Sequence, residues 1–157
     1  MADFSGKTKA QTLWKDVQFL SGDIARSYMP VILKVDSLRR VVYSTFYGKV
    51  TEAELVRHGF TIASDPDFKR EFSEIVDFSE VTELSISDAA LNKLASTPSL
   101  FSRSVRHVIV ASTEPGFQIA SRFKALSSET RPNVIVVRTR AEAYELLGIR
   151  PDSIQIT

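Results

Sequence analysis

Apolar runs and amphipathic stretches alternate along most of this chain. The apolar runs are short and rich in β-branched and aromatic residues, which predicts strands. They span residues 31–35, 40–47, 75–76, 105–111 and 134–137. A four-residue polar segment joins the first two runs, and a helix-period stretch follows each run from the second onward. The pattern therefore predicts an α/β fold with a mixed, mostly parallel sheet, an opening β-hairpin and covering helices.

The beginning of the chain carries a separate helical pattern. Four apolar residues recur there at helical spacing, namely Leu13, Val17, Leu20 and Ile24, and Pro30 separates them from the first predicted strand. We expect a helical extension over residues 1–29, an α/β domain over 30–149 and a tail over 150–157. An exposed apolar stripe is unfavourable in a soluble monomer, so we expect the extension to dock on the domain or across a homodimer.

Local signals mark where the predicted helices begin and end. Residues 51–54 and 139–142 are capping boxes, and residues 112–115 form a further start signal that ends in proline. Gly148 follows the last helical pattern as a helix-ending glycine. The helix that starts after Thr51 is expected to bury five apolar residues, Leu55, Val56, Phe60, Ile62 and Ala63.

Residues 75–95 place polar groups where open α/β sheets usually bind ligands. Strand 75–76 is expected to end at Asp77, a polar loop follows, and Ser87 and Asp88 open a helix. The free amides of a helix N-terminus attract anions. Asp77 could serve as a general base, or it could hydrogen-bond the loop that follows it. The segment contains no complete catalytic device.

The element order and residues 77–94 resemble STAS domains, the family of sulfate transporters and anti-sigma-factor antagonists. The matching positions are Asp77, Phe78, Ser79, Val81, Leu84, Ser87 and Leu94. The C-terminal half is similar to the SpoIIAA-like branch, also called STAS/SEC14-like, through residues 106–111, 117–122 and 142–147. The resemblance covers about residues 30–148 and implies the STAS/SpoIIAA-like fold.

The resemblance also implies a regulatory serine. In the antagonist branch a partner kinase phosphorylates the serine at the helix start, and Ser87 corresponds to it. Ser85 and Ile86 replace the usual aspartate and first serine, and Asp88 replaces the usual glycine. Asp88 puts a fixed negative charge beside the site, so the alternative is that Ser87 is simply an N-cap. The candidate partner-binding or phosphoacceptor residues are Asp77, Ser85, Ser87 and Asp88.

Composition narrows the functional classes. The chain has no cysteine, which removes disulfides and thiolate chemistry. Its two histidines, His58 and His107, have no second histidine at ligand spacing, so we expect core or surface roles and no metal. No phosphate-binding glycine loop is present, and we expect no cofactor. The sequence has no run of membrane-spanning length and no secretory pattern, so we expect a cytoplasmic protein without an integral membrane segment.

The net charge is +1, so the overall charge does not indicate nucleic acid as a partner. The charges are unevenly spread, however. Residues 52–88 contain ten acidic and three basic side chains, whereas residues 89–150 contain nine basic and four acidic ones. The sequence therefore predicts an acidic and a basic side of the molecule, or else solvated helix faces of either sign.

We expect a non-catalytic regulatory or protein-interaction module that binds a protein partner or a second copy of itself. The alternative is a binder of a lipid or small apolar anion. Its candidate ligand residues are Arg106, Phe117, Arg122 and Phe123, with Arg103 and Lys124 as further head-group candidates. Core packing and solvated surface explain the same residues. An enzyme is least expected, because no nucleophile or base stands beside an orienting group.

Overall fold

The computed structural model describes residues 31–150, which form five strands and four helices. In chain order these are β1 (Val31–Asp36), β2 (Val41–Thr51), α1 (Glu52–Ser64), β3 (Ser73–Ser85), α2 (Asp88–Ser96), β4 (His107–Val110), α3 (Glu114–Leu126), β5 (Val134–Val137) and α4 (Arg140–Leu146). The predicted extension over 1–29 and the tail after Arg150 lie outside the described residues. Within 31–150 no helix has the length and apolar character that crossing a bilayer requires.

The five strands form one sheet in the order β1-β2-β3-β4-β5. β1 runs antiparallel to β2, and every later neighbour is parallel. The hairpin between β1 and β2 is closed by Asp36, whose carboxylate accepts hydrogen bonds from the backbone and side chain of Arg39. Arg40 then takes a left-handed backbone conformation, with φ of 58°. The α/β fold with an opening hairpin and a mostly parallel sheet is therefore confirmed.

Helices cover the two faces of the sheet unequally. Alternate side chains of a strand point to opposite faces, so one apolar set packs against α4 and the other against α1, α2 and α3. On the α4 face, Val108 and Val110 pack with Ala143. On the other face, Val42 packs with Ile62 of α1, and Ile109 packs with Ala120 of α3. The sheet is thus buried on both sides, as its near-continuous apolar strands require.

β3 is longer than the sequence pattern predicts. The predicted strand ends at Asp77 and is followed by a loop, but the observed strand continues to Ser85. Its second half pairs with an equally unpredicted extension of β2, from Tyr47↔Glu80 to Thr51↔Ser85. β4 pairs with β3 only as far as Asp77↔Val110. Asp77 therefore lies inside β3, at the point where the sheet narrows to a two-stranded ribbon of β2 and β3. The prediction of a strand-end acid was wrong in this respect.

The helix starts follow the local signals. Glu54 accepts a 2.6 Å hydrogen bond from the Thr51 backbone, and Thr113 and Thr139 accept from the amides of Gly116 and Glu142. Gly148 has φ of +65°, as a helix-ending glycine requires.

The predicted buried face of α1 was partly wrong. His58 and Ile62 are buried, whereas Val56 and Phe60 are 53% and 43% exposed. His58 hydrogen-bonds Ser44 of β2, so the side of α1 that carries His58 faces the sheet. Val56 and Phe60 lie on a different side of α1, since they are two residues away from the buried positions and successive helical residues are about 100° apart.

Candidate functional site

Asp77 is the most enclosed polar group at the carboxyl end of the parallel strands, with 4% of its surface exposed. Its carboxylate accepts hydrogen bonds from the backbone amide of Ser79, at 2.8 Å, and from the Ser79 hydroxyl. It also accepts one from Nε of Arg140, the first residue of α4. That hydrogen bond raises the pKa of Arg140. Asp77 therefore connects β3 to α4, and its acceptor capacity is used within the chain.

The helix start at Ser87 is also engaged. The Ser87 hydroxyl accepts from the amide of Ala90 at 3.1 Å, which is an N-cap bond. The Ser87 amide donates to the Glu52 carboxylate at 2.8 Å and lowers the pKa of Glu52. Asp88 pairs with Arg122 of α3, and Ser85 is paired with Thr51 at the end of β3. A phosphate on Ser87 would therefore add negative charge to a residue that already contacts Glu52 and adjoins Asp88.

Arginines at this end each face an acid of the same chain. Arg140 also reaches Glu80, at 3.4 Å, and Arg138 pairs with Glu114 at 2.9 Å. The guanidinium of Arg138 lies 3.7 Å from the ring centroid of Phe117, in cation–π geometry. The hydrogen bond from Arg138 lowers the pKa of Glu114. Opposite charges at the carboxyl end thus neutralise each other across elements.

The four ligand candidates are not brought together. Arg106 donates to the carbonyl of Leu146 at the end of α4, on the other face of the sheet from α3. Arg122 is paired with Asp88, as described above. Phe117 and Phe123 pack in an apolar cluster with Ile109 and Ala120. The structure therefore gives these two aromatic residues core contacts.

Two contacts between buried polar side chains lie on the face of the sheet that carries α1, α2 and α3. The Ser44 hydroxyl contacts Nε2 of His58, and Nδ1 of His107 lies 2.9 Å from the Glu74 carboxylate. Burial lowers the pKa of His58, and the nearby charge of Glu74 opposes this effect. Both histidines therefore belong to the core. Among residues 31–150 no group of three His, Cys, Asp or Glu side chains is arranged to hold a metal ion.

The amino end of the parallel sheet carries a cleft of about 260 Å³. Its lining residues are Arg70, Pro98, Ser99, Phe101, Arg103, Glu129 and Thr130. They come from the three connections that precede β3, β4 and β5. Arg103 was among the head-group candidates, but Arg70 and Ser99 were missed. The order of the elements could have grouped them, because segments that precede parallel strands meet at one end of the sheet.

A second cleft, of about 330 Å³, lies beside the opening hairpin. It is lined by Arg39, Leu147, Gly148, Ile149 and Arg150. Asp36 already pairs with Arg39. Neither cleft is lined by Arg106, Phe117, Arg122 or Phe123.

Three large apolar side chains are exposed around α1. Val56 and Phe60 flank Gly59, and Leu100 is 40% exposed. A Cβ atom on Gly59 would lie 4.0 Å from the Leu100 side chain, so Leu100 lies beside α1 at Gly59. We call Val56, Phe60 and Leu100 the α1 patch. Sequence reasoning missed it, because the apolar periodicity of α1 was interpreted as core.

No family model matches the chain, and no curated protein is significantly similar to it. Among solved structures, the chain is similar to an uncharacterized protein of the DUF3478 family from Shewanella loihica PV-4, which is described as having a SpoIIAA-like fold. The two share 14% sequence identity with a TM-score of 0.47, over 74% of this chain and 91% of the other. That description names the same fold as the resemblance in the sequence, and it assigns no function.

Proposed function

We propose that this chain is a non-catalytic regulatory module that binds a partner protein through the α1 patch. The exposure of Val56 and Phe60 is the observation that carries the proposal. α1 already buries its other side against the sheet through His58 and Ile62, and about half of the surface of Val56 and Phe60 remains accessible to a partner. Large apolar side chains grouped on a surface among charged residues are typical of protein-binding sites.

The regulatory part of the proposal follows from the neighbourhood of Ser87. Its amide is bonded to Glu52, the first residue of α1, and Val56 lies one helical turn further along. A change of charge at Ser87 or Asp88 would therefore act close to the patch. Interface charges away from the apolar centre mainly affect how quickly and how selectively partners associate.

The buried polar groups support a non-catalytic role. Within residues 31–150, the only contact between a hydroxyl and an imidazole joins Ser44 to His58. Ser44 has no exposed surface. Asp77 is engaged by Ser79 and Arg140. A nucleophile and a base must reach a substrate, and groups enclosed in this way do not.

The proposal is tested by identifying a partner and measuring its affinity. The full chain serves as bait in extract from its own host, captured proteins are identified, and each is purified for calorimetric titration. We expect Phe60→Asp to weaken the complex at least about tenfold, because binding must then desolvate a charge. Leu126→Asp is the matched control, since Leu126 is also 43% exposed but lies on α3. The proposal fails if both variants bind as tightly as the unaltered chain.

Ser87→Asp and Asp88→Lys test whether the partner binds at the start of α2 instead of at the α1 patch. We expect them to change the affinity less than Phe60→Asp does. If they abolish binding while Phe60→Asp has no effect, the interface lies at the start of α2 and the α1 patch is not the partner site.

The lipid-binding alternative has less support. Its four candidate residues make separate contacts, and the two aromatic ones pack in the core. Native mass spectrometry of gently purified full chain distinguishes the two functions. A stoichiometric bound lipid would replace our proposal with a carrier function, whereas a bare chain or a protein complex would support it.

A further inference from the structure

We propose that the amino-end cleft binds a compact dianion, such as a phosphate monoester or a small dicarboxylate, between Arg70 and Arg103. This site adjoins the α1 patch, because Leu100 lies between the lining residues Ser99 and Phe101, but the argument for it does not depend on the partner proposal. The volume of about 260 Å³ is below the roughly 300–1,000 Å³ typical of pockets for drug-sized ligands, which favours a small ligand.

The state of the two arginines is the first observation. Within residues 31–150, neither the Arg70 nor the Arg103 guanidinium forms an ion pair or a hydrogen bond with another residue. At the other end of the sheet Arg122, Arg138 and Arg140 are all paired. A guanidinium presents several N–H donors in a plane, which matches the paired oxygens of a phosphate or carboxylate.

The local charge balance is the second observation. Glu129 is the acid that lines the cleft, against the two arginines. A third guanidinium, that of Arg131, lies just behind the lining and donates to the carbonyl of Thr97 at 3.1 Å and to the Thr130 hydroxyl at 3.0 Å. The lining side chains therefore carry one more positive than negative charge, with Glu129 opposing an incoming anion and Glu74 close enough to balance Arg131 from the core.

Hydrogen bonds between the connections hold the cleft in shape. The amide of Ser102 donates to the carbonyl of Arg70 at 2.9 Å, which joins the first connection to the second. The hydroxyl of Thr130 donates to the carbonyl of Ala95 at 2.7 Å, which joins the third to the end of α2. A site that is already ordered loses less conformational entropy when its ligand binds.

Ser99 supplies a neutral donor. Its hydroxyl oxygen accepts from the amide of Phe101 at 3.1 Å, which fixes the side chain at the cleft. The described residues give its hydroxyl hydrogen no acceptor. A ligand oxygen between the two arginines could therefore receive a third hydrogen bond from Ser99.

Calorimetric titration of the full chain with inorganic phosphate and with succinate, at constant ionic strength, tests the site. We expect saturable one-to-one binding of at least one of them, with affinity in about the millimolar range. Arg70→Gln and Arg103→Gln should each weaken it about tenfold or more, because each removes a charge-assisted donor. Glu129→Gln should strengthen it by about twofold to fivefold, because a repulsive charge is lost.

Arg122→Gln is the control, since it removes the same charge at the other end of the sheet. Tighter binding of phosphate identifies a phosphoryl ligand, and tighter binding of succinate identifies a carboxylate ligand; both support the site. The inference is overturned if neither anion binds saturably, or if Arg122→Gln weakens binding as much as Arg70→Gln. Amide chemical shifts locate the ligand independently, and we expect Ser99 and Arg103 to move while Ser87 does not. Phe60→Ala, which truncates the patch without adding a charge near the cleft, should leave anion binding unchanged, so failure of one proposal does not carry over to the other.

Discussion

At the carboxyl end of the sheet Arg122 and Arg140 each face a carboxylate of their own chain, whereas at the amino end Arg70 and Arg103 face a cleft. The same residue type thus has two roles in one small domain. Pairing within the chain connects helices to strands, and the pair involving the buried Asp77 does this most directly. Unpaired guanidiniums add little to the fold and remain available to a ligand.

The positions of the unpaired arginines differ from the usual position of a ligand site in an open α/β sheet. Open α/β sheets commonly bind ligands at the carboxyl ends of their strands, and the sequence places polar groups there. In this chain those groups are consumed by contacts between elements, as the bonds of Asp77 and Ser87 illustrate. Among residues 31–150, the unpaired guanidiniums of Arg70 and Arg103 lie at the opposite end. Two of the three predictions below test how far the carboxyl end is structural, and the other tests the core between the two ends.

Removing the buried acid should have the largest effect. We expect Asp77→Ala to lower the free energy of unfolding by about 2–3 kcal/mol, because Arg140 and the amide of Ser79 lose their acceptor. The value is below that of a fully enclosed pair, since the Arg140 side chain is 40% exposed and can return to water. Glu80→Ala is the control, because Glu80 contacts the same arginine from an exposed position, and its loss should cost less than about 1 kcal/mol. If urea denaturation shows that Asp77→Ala and Glu80→Ala lower the free energy of unfolding equally, Asp77 is not the main structural partner of Arg140.

Lowering the pH should destabilise the core that lies between the two ends of the sheet. Burial holds the pKa of His58 below its unfolded value of about 6.5, so the unfolded chain binds the proton more readily. The stabilisation is present above that pH and is lost as the pH falls. We expect the free energy of unfolding to fall as the pH drops below about 6.5, because the unfolded chain takes up the proton that buried His58 resists.

His58→Gln isolates that contribution, because the other titrating groups remain in both proteins. The variant should show a flatter dependence of unfolding free energy on pH below about pH 6.5. Identical slopes would mean that His58 has the same pKa in the folded and unfolded chain. Comparisons of the two ends are therefore best made above about pH 7, where this histidine is neutral in both states.

Losing the helix cap should have the smallest of the three effects. We expect Ser87→Ala to lower the free energy of unfolding by about 1 kcal/mol, because the amide of Ala90 loses its acceptor. Ser87→Asp should retain most of the stability, since aspartate also caps helices. Ser85→Ala, at an exposed position two residues earlier, should stay within about 0.5 kcal/mol. If Ser87→Ala is as stable as the unaltered chain, the serine is not needed for structure and its regulatory role gains weight.

Features set by neighbouring residues could be predicted from the sequence. The helix starts at Thr51, Ser87 and Thr139 depend on side chains within three or four positions, and the structure has all three. The second half of β3 could not be predicted in this way. Its polar residues resemble a loop, and they form a strand because β2 supplies partners more than thirty positions away.

The candidate site shows the same limit more strongly. Arg70, Ser99 and Glu129 are spread over sixty positions, and no local pattern connects them. Their proximity results from the parallel order of β3, β4 and β5, which brings three separate connections to one end. The exposure of Phe60 was missed for a related reason. A helix has more than one apolar side, and only the tertiary structure decides which side meets the sheet.

The ribbon formed where β3 continues past Asp77 has a consequence for self-association. Beyond that residue the side of β3 that faced β4 has no strand partner among the described residues, so its main-chain groups can pair with any extended chain. Glu80 and Glu83 place carboxylates along this segment, with Lys49 beside Glu83 on the neighbouring strand. Charged side chains on an open strand edge keep a second copy from adding to it. If those charges are neutralised, we expect fibrils or strand-exchanged dimers to begin at this ribbon.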